Sequence, residues 1–184
     1  MGFHTFDPER AAKLDDPARF RYCSRDELFA ALAPRPDARV ADLGSGTGFY
    51  TREVAPFAGR VDAVDVQSAM HDEFRDRGVP ENVALVTADV ADLPFADGAL
   101  DAAFSTMTFH EFASADALVR VRRALAAGGR FVVADWSAAG DGDDGPPLAE
   151  RYDAADAESL LSDAGFDVSR VGERPETLFV VAEA

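Results

Sequence analysis

Residues 40–51 read VADLGSGTGFYT, an apolar run that carries Asp42 and passes into alternating glycines. Glycine tolerates a positive φ and lets another molecule approach the backbone, at an entropic cost. A glycine-rich turn directly after a buried strand is typical of ligand-binding loops in α/β sheets. The segment therefore predicts a strand, a loop and a helix, with Gly44, Ser45, Gly46 and Gly48 as ligand-binding residues.

Short apolar runs elsewhere in the chain alternate with helical patterns. Runs near residues 60–66, 82–87, 101–107 and 130–136 predict further strands, with helices between them. Apolar strands that alternate with helices indicate a parallel sheet covered on both faces. The last two runs, 166–171 and 177–181, are joined by a connection too short for a crossover, so they should pair antiparallel. We expect an α/β fold with a doubly wound, seven-stranded sheet, mostly parallel and ending in a C-terminal antiparallel hairpin.

The chain should divide into a short N-terminal segment and one domain. Residues 7–33 have helical character interrupted at Pro17, and residues 34–36, Pro-Arg-Pro, stop the pattern. We therefore predict a helical N-terminal segment over residues 1–36 and a ligand-binding domain over residues 37–184. Cys23 is the one cysteine, so no internal disulfide is possible, and a lone cysteine is most often a small buried hydrophobe. Loop 138–147, AAGDGDDGPP, lacks the acid that would complete a calcium-binding loop and is interpreted as an acidic flexible connector.

The composition of the chain limits the classes of molecule that it can bind. Asp and Glu number 34 against 18 Lys and Arg, which gives a formal net charge of −16. A surface of this sign argues against nucleic acid as the main partner. The composition, with Lys13 as the one lysine, resembles that of proteins from salt-loving archaea, whose anionic surfaces are screened by concentrated salt. No apolar run approaches the ~18–20 residues of a membrane span, and the N-terminus lacks a signal segment, so a cytoplasmic protein is expected.

The residues that follow each strand should meet at one edge of the sheet, because ligands of doubly wound sheets bind outside the carboxyl ends of the strands. There the glycine loop would lie beside Asp65, at the end of the second strand, and Asp89, just after the third. A phosphate loop of the ATP-binding type is excluded because no Gly-Lys pair exists. The dinucleotide pattern G-x-G-x-x-G fails because Phe49 stands at its last position. The carboxylates favour a ligand that carries positive groups and no phosphate.

S-adenosylmethionine is such a ligand. Asp65 can accept hydrogen bonds from both ribose hydroxyls, Asp89 can accept one from the adenine amino group, and the N–H of Val90 can donate to a ring nitrogen. Asp42 would supply negative charge near the ammonium group. Each aspartate also has a plainer interpretation, Asp42 and Asp89 as turn caps and Asp65 as a solvated strand end. Two neighbours of the strand ends complete the predicted cofactor site, Val66 and Ser105.

The motifs resemble a known family. VADLGSGTG, VDAVD, ADVADLPFADGALDAAFS and VRRALAAGGRFVVADW are similar to successive motifs of class I S-adenosylmethionine-dependent methyltransferases, most closely of the ubiquinone/menaquinone-biosynthesis-like (UbiE-like) branch. The resemblance covers residues 38–136 strongly and residues 154–184 more loosely. It departs at residues 126–129, Ala-Ala-Gly-Gly, where the family usually has Pro-Gly-Gly. The resemblance implies a Rossmann-like methyltransferase fold, S-adenosylmethionine as cofactor and S-adenosylhomocysteine as product.

The acceptor side of the site is less defined. His110 follows the fourth strand beside the expected methyl group, and it is a candidate general base or substrate ligand, or else a packing or capping residue. His71 is expected on an exposed helix without a role, and the scattered histidines predict no metal site. Tyr22, Tyr50 and Phe109 are predicted to border the substrate, beneath an N-terminal segment that acts as a lid.

We expect methyl transfer by in-line displacement to a small, partly apolar acceptor. Two alternatives stay open at this point. One is a noncatalytic protein that binds S-adenosylmethionine or S-adenosylhomocysteine, and the less favoured one is a nicotinamide-dependent dehydrogenase. The Phe-rich N-terminus could also form a homodimer contact.

Overall fold

The computed structural model describes residues 8–184, whose seven strands form one sheet in the order β3-β2-β1-β4-β5-β7-β6. Strands β1 to β5 pair in parallel, while β7 lies antiparallel between β5 and β6. The bounds are β1 Arg39–Leu43, β2 Arg60–Asp65, β3 Val83–Thr87, β4 Leu100–Thr106, β5 Leu125–Trp136, β6 Asp167–Glu173 and β7 Thr177–Glu183. This confirms the doubly wound, mostly parallel sheet with a C-terminal antiparallel hairpin. The winding reverses between β1 and β4.

Helices cover both faces of this sheet. Several begin at side-chain caps: Ser24 accepts from the N–H of Glu27, and Ser114 accepts from that of Ala117. The α-helices are α1 Arg25–Leu32, α2 Phe49–Val54, α3 Ser68–Asp76, α4 Phe109–Phe112, α5 Ala115–Ala124 and α6 Ala154–Asp163. Shorter 3₁₀ helices lie at Pro8–Asp15, Pro17–Arg21, Ala55–Phe57, Val90–Asp92 and Leu148–Glu150.

The hydrophobic core has two parts, one on each face of the sheet. Successive residues of β1 point to opposite faces, so Val40 joins one part and Ala41 the other. The first part holds Leu28 of α1 and Val54 of α2, and the second holds Leu118 of α5. The central strands are therefore buried on both faces, as their apolar sequences predicted.

The interruption at Pro17 predicted within residues 7–33 is present, and the part before α1 is 3₁₀ helix; residue 7 lies outside the described part of the chain. Two 3₁₀ helices, Pro8–Asp15 and Pro17–Arg21, precede α1. Asp16 separates them with extended backbone and caps the second by accepting from the N–H of Ala18 at 2.8 Å. Pro17 follows directly, and a residue before proline avoids helical geometry, which breaks the run.

Ion pairs and a phenol fasten this segment to the domain. The carboxylate of Asp15 pairs with Arg52 at 2.6 Å and with Arg77 at 2.5 Å. The hydroxyl of Tyr50 donates to the carbonyl of Cys23 at 2.9 Å. Cys23 itself is fully buried, as expected for a lone cysteine.

Strand β5 begins at Leu125, earlier than the predicted start at residue 130, and α5 ends at Ala124 rather than at residue 127. Leu125 already pairs with Leu100 of β4, after which the register shifts before Ala102. Gly128 has a φ of +74°, and its N–H donates to the carbonyl of Ala184 at 3.1 Å. The Ala-Ala-Gly-Gly segment is thus an irregular part of the strand, where glycine supplies the positive φ.

Loop 138–147 is more ordered than a flexible connector, because it folds around Arg151. This arginine is 6% exposed, and its guanidinium donates to the carbonyls of Pro146, at 2.8 Å, and Asp144. Gly145 lies against Trp136, and a Cβ at this position would stand 2.5 Å from the indole ring. The loop is therefore held beside the end of β5.

Among residues 8–184, no helix combines the length and the apolar character that a membrane crossing requires.

Candidate active site

One large cavity lies in front of the carboxyl ends of the parallel strands, where the winding reverses. Its volume is about 1110 Å³. Typical small-molecule sites have about 300–1,000 Å³, so a nucleoside and a small second molecule fit together. The N-terminal 3₁₀ helices, the glycine loop, the ends of β2 to β4 and the loop after β5 all contribute to its walls. Of the predicted site residues, the lining includes Tyr22, Gly44, Ser45, Gly46, Tyr50, Asp65, Val66, Asp89, Val90 and His110.

Four predicted site residues do not line this cavity. Asp42 lies beneath the loop, Gly48 is the buried last residue of the loop, and Ser105 and Phe109 are fully buried in the interior. Phe109 stacks edge-on against Phe112 and Tyr152, which makes it a core residue rather than a substrate contact. The cavity wall after β4 is instead formed by the residues that follow Ser105, which are Thr106, Met107 and Thr108.

The glycines of the loop are required by the packing of the protein itself. Gly44 has a φ of +81°, and a Cβ there would lie 2.3 Å from Cγ2 of Thr108. Gly48 has a φ of +79°, and a Cβ there would lie 2.2 Å from the ring of Phe74. The loop can therefore sit flat between α3 and the turn after β4 only with glycine at these positions.

Asp65 organises the loop from the end of β2. Its Oδ2 accepts from the N–H of Gly46 at 2.8 Å, and its Oδ1 accepts from the N–H of Gln67 at 2.9 Å. The side chain is 9% exposed, and this burial raises the pKa of Asp65, while the two backbone hydrogen bonds act in the opposite direction. Each oxygen keeps a further lone pair for a ligand hydroxyl.

Asp89 is exposed at the start of the 3₁₀ helix Val90–Asp92. Its Oδ1 accepts from the N–H of Ala91 at 2.8 Å, so it caps this turn, as the plainer interpretation of the sequence held. Its Oδ2 makes no hydrogen bond within the described residues, and it belongs to the cavity wall. Capping and ligand binding are compatible here because they use different oxygens.

Asp42 is buried below the loop rather than in the cavity wall. Its Oδ2 accepts from the hydroxyl of Thr51 at 2.6 Å, and its Oδ1 has no hydrogen-bond partner among the described residues. Burial raises the pKa of Asp42 to about 7, although the Thr51 hydrogen bond acts to lower it. The nearby charges that affect this pKa are Asp65, which raises it, and Arg19, which lowers it.

His110 lies on α4 with its ring held by Asp135 of β5. Its Nδ1 is 3.0 Å from both carboxylate oxygens of Asp135, and its backbone N–H donates to the same carboxylate at 2.5 Å. Asp135 is 1% exposed and also accepts from the N–H of Trp136 at 2.8 Å. When Nδ1 carries a hydrogen, it donates to the Asp135 carboxylate, and Nε2 is then the nitrogen that can accept a proton.

Electrostatics makes this imidazole more basic than usual. Burial opposes protonation, but the charge and hydrogen bond of Asp135 outweigh it, and the pKa of His110 is raised. Oε1 of Glu111 lies 3.9 Å from Nε2. Burial raises the pKa of Glu111 to about 7, although the neighbouring His110 acts to lower it. Two titratable groups with shifted pKa values, His110 and Glu111, thus meet beside the cavity, which is a common property of catalytic sites.

The predicted aromatic residues have different positions. The ring of Tyr22 stacks against Trp136 at 4.6 Å, and its hydroxyl donates to Asp144 at 2.5 Å across the cavity mouth. Arg21 pairs with the same carboxylate at 2.7 Å. Tyr50 is buried, and its hydroxyl is engaged by the N-terminal segment.

The sequence prediction missed several residues of the site. The sequence indicated Asp135 only as part of a strand. In the structure its carboxylate lies 3.0 Å from Nδ1 of His110. Arg19 was not selected at all, since an arginine in a polar segment carries no sequence signal. His71 was expected on an exposed surface; it is 1% exposed instead, with Nδ1 3.0 Å from the hydroxyl of Thr87, because its face of α3 lies against the sheet.

The residues present fit S-adenosylmethionine. Hydroxyl and amino donors of an adenosine group would find carboxylates at Asp65 and Asp89. The unpaired Oδ1 of Asp42 is a buried acceptor beneath the loop, where a positive group would relieve it. Four basic residues of the N-terminal segment line the cavity, Arg10, Lys13, Arg19 and Arg21, but no lysine follows the glycine loop as in an ATP-type phosphate site.

Comparison with known proteins identifies the family. A family model described as a methyltransferase domain matches residues 41–133, half of the chain. The ubiquinone/menaquinone biosynthesis C-methyltransferase UbiE of Ectopseudomonas mendocina is 35% identical over 127 residues, which cover 65% of this chain and 48% of that protein. A malonyl-[acyl-carrier protein] O-methyltransferase of Legionella pneumophila is 34% identical over 110 residues, which cover 58% of this chain and 37% of that protein. The chain spans about half the length of these relatives or less.

A solved structure extends the similarity to almost the whole chain. The crystal structure of a SAM-dependent methyltransferase from Aquifex aeolicus has a TM-score of 0.88 and 29% identity, covering 97% of this chain and 99% of that one. This overlap shows that the two chains share the same fold. The chain therefore belongs to the methyltransferase-domain family of S-adenosylmethionine-dependent enzymes.

Proposed function

We propose that the protein transfers the methyl group of S-adenosylmethionine to a small, partly apolar acceptor. The observation that carries this proposal is the convergence of the glycine loop, Asp65, Asp89 and the His110–Asp135 pair on one cavity. Family membership favours this activity over the noncatalytic and nicotinamide-dependent alternatives.

Asp65, Asp89 and the glycine loop would hold the cofactor. Asp65 accepts from the ribose hydroxyls, Asp89 from the adenine amino group through its unbonded Oδ2, and the N–H of Val90 donates to the ring. Asp42, which lies beneath the loop, would attract the ammonium group of the cofactor electrostatically. Bound S-adenosylmethionine supplies a methyl group on a sulfonium, which is already an excellent leaving group. The protein's own task is then to orient the acceptor and to remove any proton that must leave.

His110 is the group proposed to remove that proton. Its Nε2 accepts the proton from an oxygen or an acidic carbon of the acceptor, and Asp135 stabilises the resulting imidazolium through Nδ1. The acceptor nucleophile keeps the electron pair that forms the new bond to the methyl carbon. Glu111 beside Nε2 adds a second group that can share the proton.

The acceptor is proposed to be a small molecule with an apolar part. Phe112, Trp136, Pro146 and Pro147 line the cavity on the side of His110, whereas a nucleic acid would meet an anionic surface. The similar proteins are named for ubiquinone/menaquinone biosynthesis in one case and for malonyl-[acyl-carrier protein] in another, so the family alone does not select the acceptor.

Residues 1–36 are proposed to form a lid over the site. Within the described part, Tyr22 and Arg21 bridge the cavity mouth to Asp144, and the 3₁₀ helices supply one cavity wall. A homodimer formed through this segment stays a prediction, which light scattering after gel filtration tests. A salt-rich environment is likewise proposed from the charge of −16.

Calorimetric titration with S-adenosylhomocysteine tests the cofactor assignment. We expect Asp65→Ala to weaken binding at least about tenfold, or about 1.4 kcal/mol, because it removes both ribose acceptors. Asp92→Ala, in the same strand-end region but outside the cavity wall, is the matched control and should bind normally. Unchanged affinity in Asp65→Ala with intact folding would show that the ribose lies elsewhere, and binding of NAD alone by the wild type would overturn the proposed function.

A further inference from the structure

The proposed cofactor carries a carboxylate, and neither the glycine loop nor the aspartates provide a partner for it. Asp65 and Asp89 are suited to hydrogen-bond donors, and Asp42 to a positive group. A cation in the cavity wall beside the loop would supply that partner.

Arg19 lies at this place. It belongs to the 3₁₀ helix Pro17–Arg21 and lines the cavity. Its guanidinium carbon lies 5.2 Å from the ring centre of Phe49 and 5.4 Å from that of Tyr50, the first two residues of α2. Nη1 donates to the carbonyl of Leu14 at 2.6 Å, which fixes the side chain against the loop.

Among residues 8–184, Arg19 makes no ion pair with a carboxylate, although acids outnumber basic residues 34 to 18 in the sequence. The arginines around it are paired: Arg21 with Asp144, and Arg52 and Arg77 with Asp15. A half-buried guanidinium that stacks on two aromatic rings and lacks a carboxylate is preorganised for an anionic ligand.

We propose that Arg19 binds the carboxylate of the amino-acid end of S-adenosylmethionine, so that the N-terminal segment recognises the bound cofactor directly. This inference rests on the proposed function. Burial lowers the pKa of Arg19 while Tyr50, Asp42 and Asp15 raise it, which agrees with a guanidinium whose solvation is incompletely replaced. Arg19 in the cavity wall and the carboxyl group of Asp42 beneath the loop would match the two ends of a group that is itself a zwitterion.

The test compares S-adenosylhomocysteine with 5′-methylthioadenosine, which keeps the adenosine and the thioether but lacks the amino-acid group. Both are titrated calorimetrically into the full chain at one ionic strength, without acceptor. In Arg19→Met we expect the preference for S-adenosylhomocysteine to fall at least about tenfold, while the affinity for 5′-methylthioadenosine changes little. Arg19→Lys keeps the charge and should retain part of the preference.

Lys13→Met is the matched control, since it removes a cation from the cavity wall without touching Phe49 or Tyr50. It should leave the preference unchanged. Equal weakening of both ligands in Arg19→Met would reduce Arg19 to a residue that holds the segment in place and overturn the inference. An unchanged preference for S-adenosylhomocysteine in Arg19→Met would overturn it as well. If the wild type binds neither ligand, the proposed function itself fails.

Discussion

At the residue scale, the buried carboxyl group of Asp42 lowers the stability of the folded protein at neutral pH. It is fully buried, one oxygen has no hydrogen-bond partner among the described residues, and its pKa is raised to about 7 by burial. Between pH ~4 and ~7 the unfolded chain ionises this group while the folded chain keeps it protonated, so stability falls with rising pH across this window. Above about pH 7 the folded chain ionises Asp42 as well, and the stability falls no further on its account.

Asp42→Asn should remove this loss, because asparagine keeps an oxygen for the Thr51 hydroxyl and cannot ionise. We expect the variant to gain thermal stability over the wild type at pH 8 and to gain little at pH 4. Scanning calorimetry of the ligand-free protein at the two pH values measures the difference. The same gain at both values would mean that burial of the ionised group is not its cause.

The His110–Asp135 pair predicts a pH dependence of the opposite kind. The protonated imidazole stabilises the fold below its unfolded pKa of about 6.5, and this contribution is lost as the pH rises through the raised folded pKa. As a base His110 must be neutral, so activity should rise with pH through a midpoint above about 6.5.

Asp135→Asn should move the midpoint of this rise to lower pH, because the charge that raises the pKa is removed. The ring resonances of His110, titrated by NMR and assigned with His110→Gln, check the shift without any substrate. A midpoint that does not move would contradict the electrostatic role of Asp135.

Asp89→Ala tests the adenine contact with little risk to the fold, since the side chain is exposed and its hydrogen bond to the N–H of Ala91 only caps a short turn. We expect weaker binding of S-adenosylhomocysteine by a factor of about ten, within the range of one hydrogen bond to a charged group. Thermal stability of the ligand-free protein should be almost unchanged, and a large fall in it would show that capping dominates.

At the element scale, the alternation of apolar and helical segments predicted the sheet well. Residues 38–136 carry a strong local signal because the central strands are buried on both faces. The break at Pro17 is a local effect and was predicted, whereas the 3₁₀ geometry before α1 was not. The early start of β5 was missed because the Leu125–Leu100 pairing is a tertiary contact. For the site, Asp65, Asp89 and His110 follow strands and could be found, whereas Asp135 and Arg19 join it only in three dimensions.

The bridge between the N-terminal segment and the loop after β5 should control ligand release. Asp144 accepts from Tyr22 and pairs with Arg21, and both the arginine and the acid are exposed. Exposed pairs contribute about 0.2–1 kcal/mol, so Asp144→Asn should speed release of S-adenosylhomocysteine about two- to fivefold. Stopped-flow displacement measures the rate. Asp143→Asn, the neighbouring acid, is the control, and equal rates in both variants would exclude the bridge as a latch.

At the scale of the whole molecule, the net charge of −16 means that the acidic side chains repel one another in dilute salt. The screening length falls from about 10 Å at 0.1 M salt to about 3 Å at 1 M, so KCl should relieve most of this repulsion. The Tm should therefore rise steeply up to about 1 M KCl at pH 7. Near the isoelectric pH of about 4.4 the gain should shrink, and a constant gain at both pH values would point to a cause other than charge.

The reactivity of the Cys23 thiol reports whether the N-terminal segment is attached to the domain. This thiol is fully buried at the junction of the N-terminal segment with the domain, and burial raises its pKa to about 12. A thiol reagent can therefore react only while this junction is open, and no second cysteine competes for it. The labelling rate of the unmodified chain thus measures how often the segment detaches, and saturating ligand should slow it if the segment closes over the cofactor.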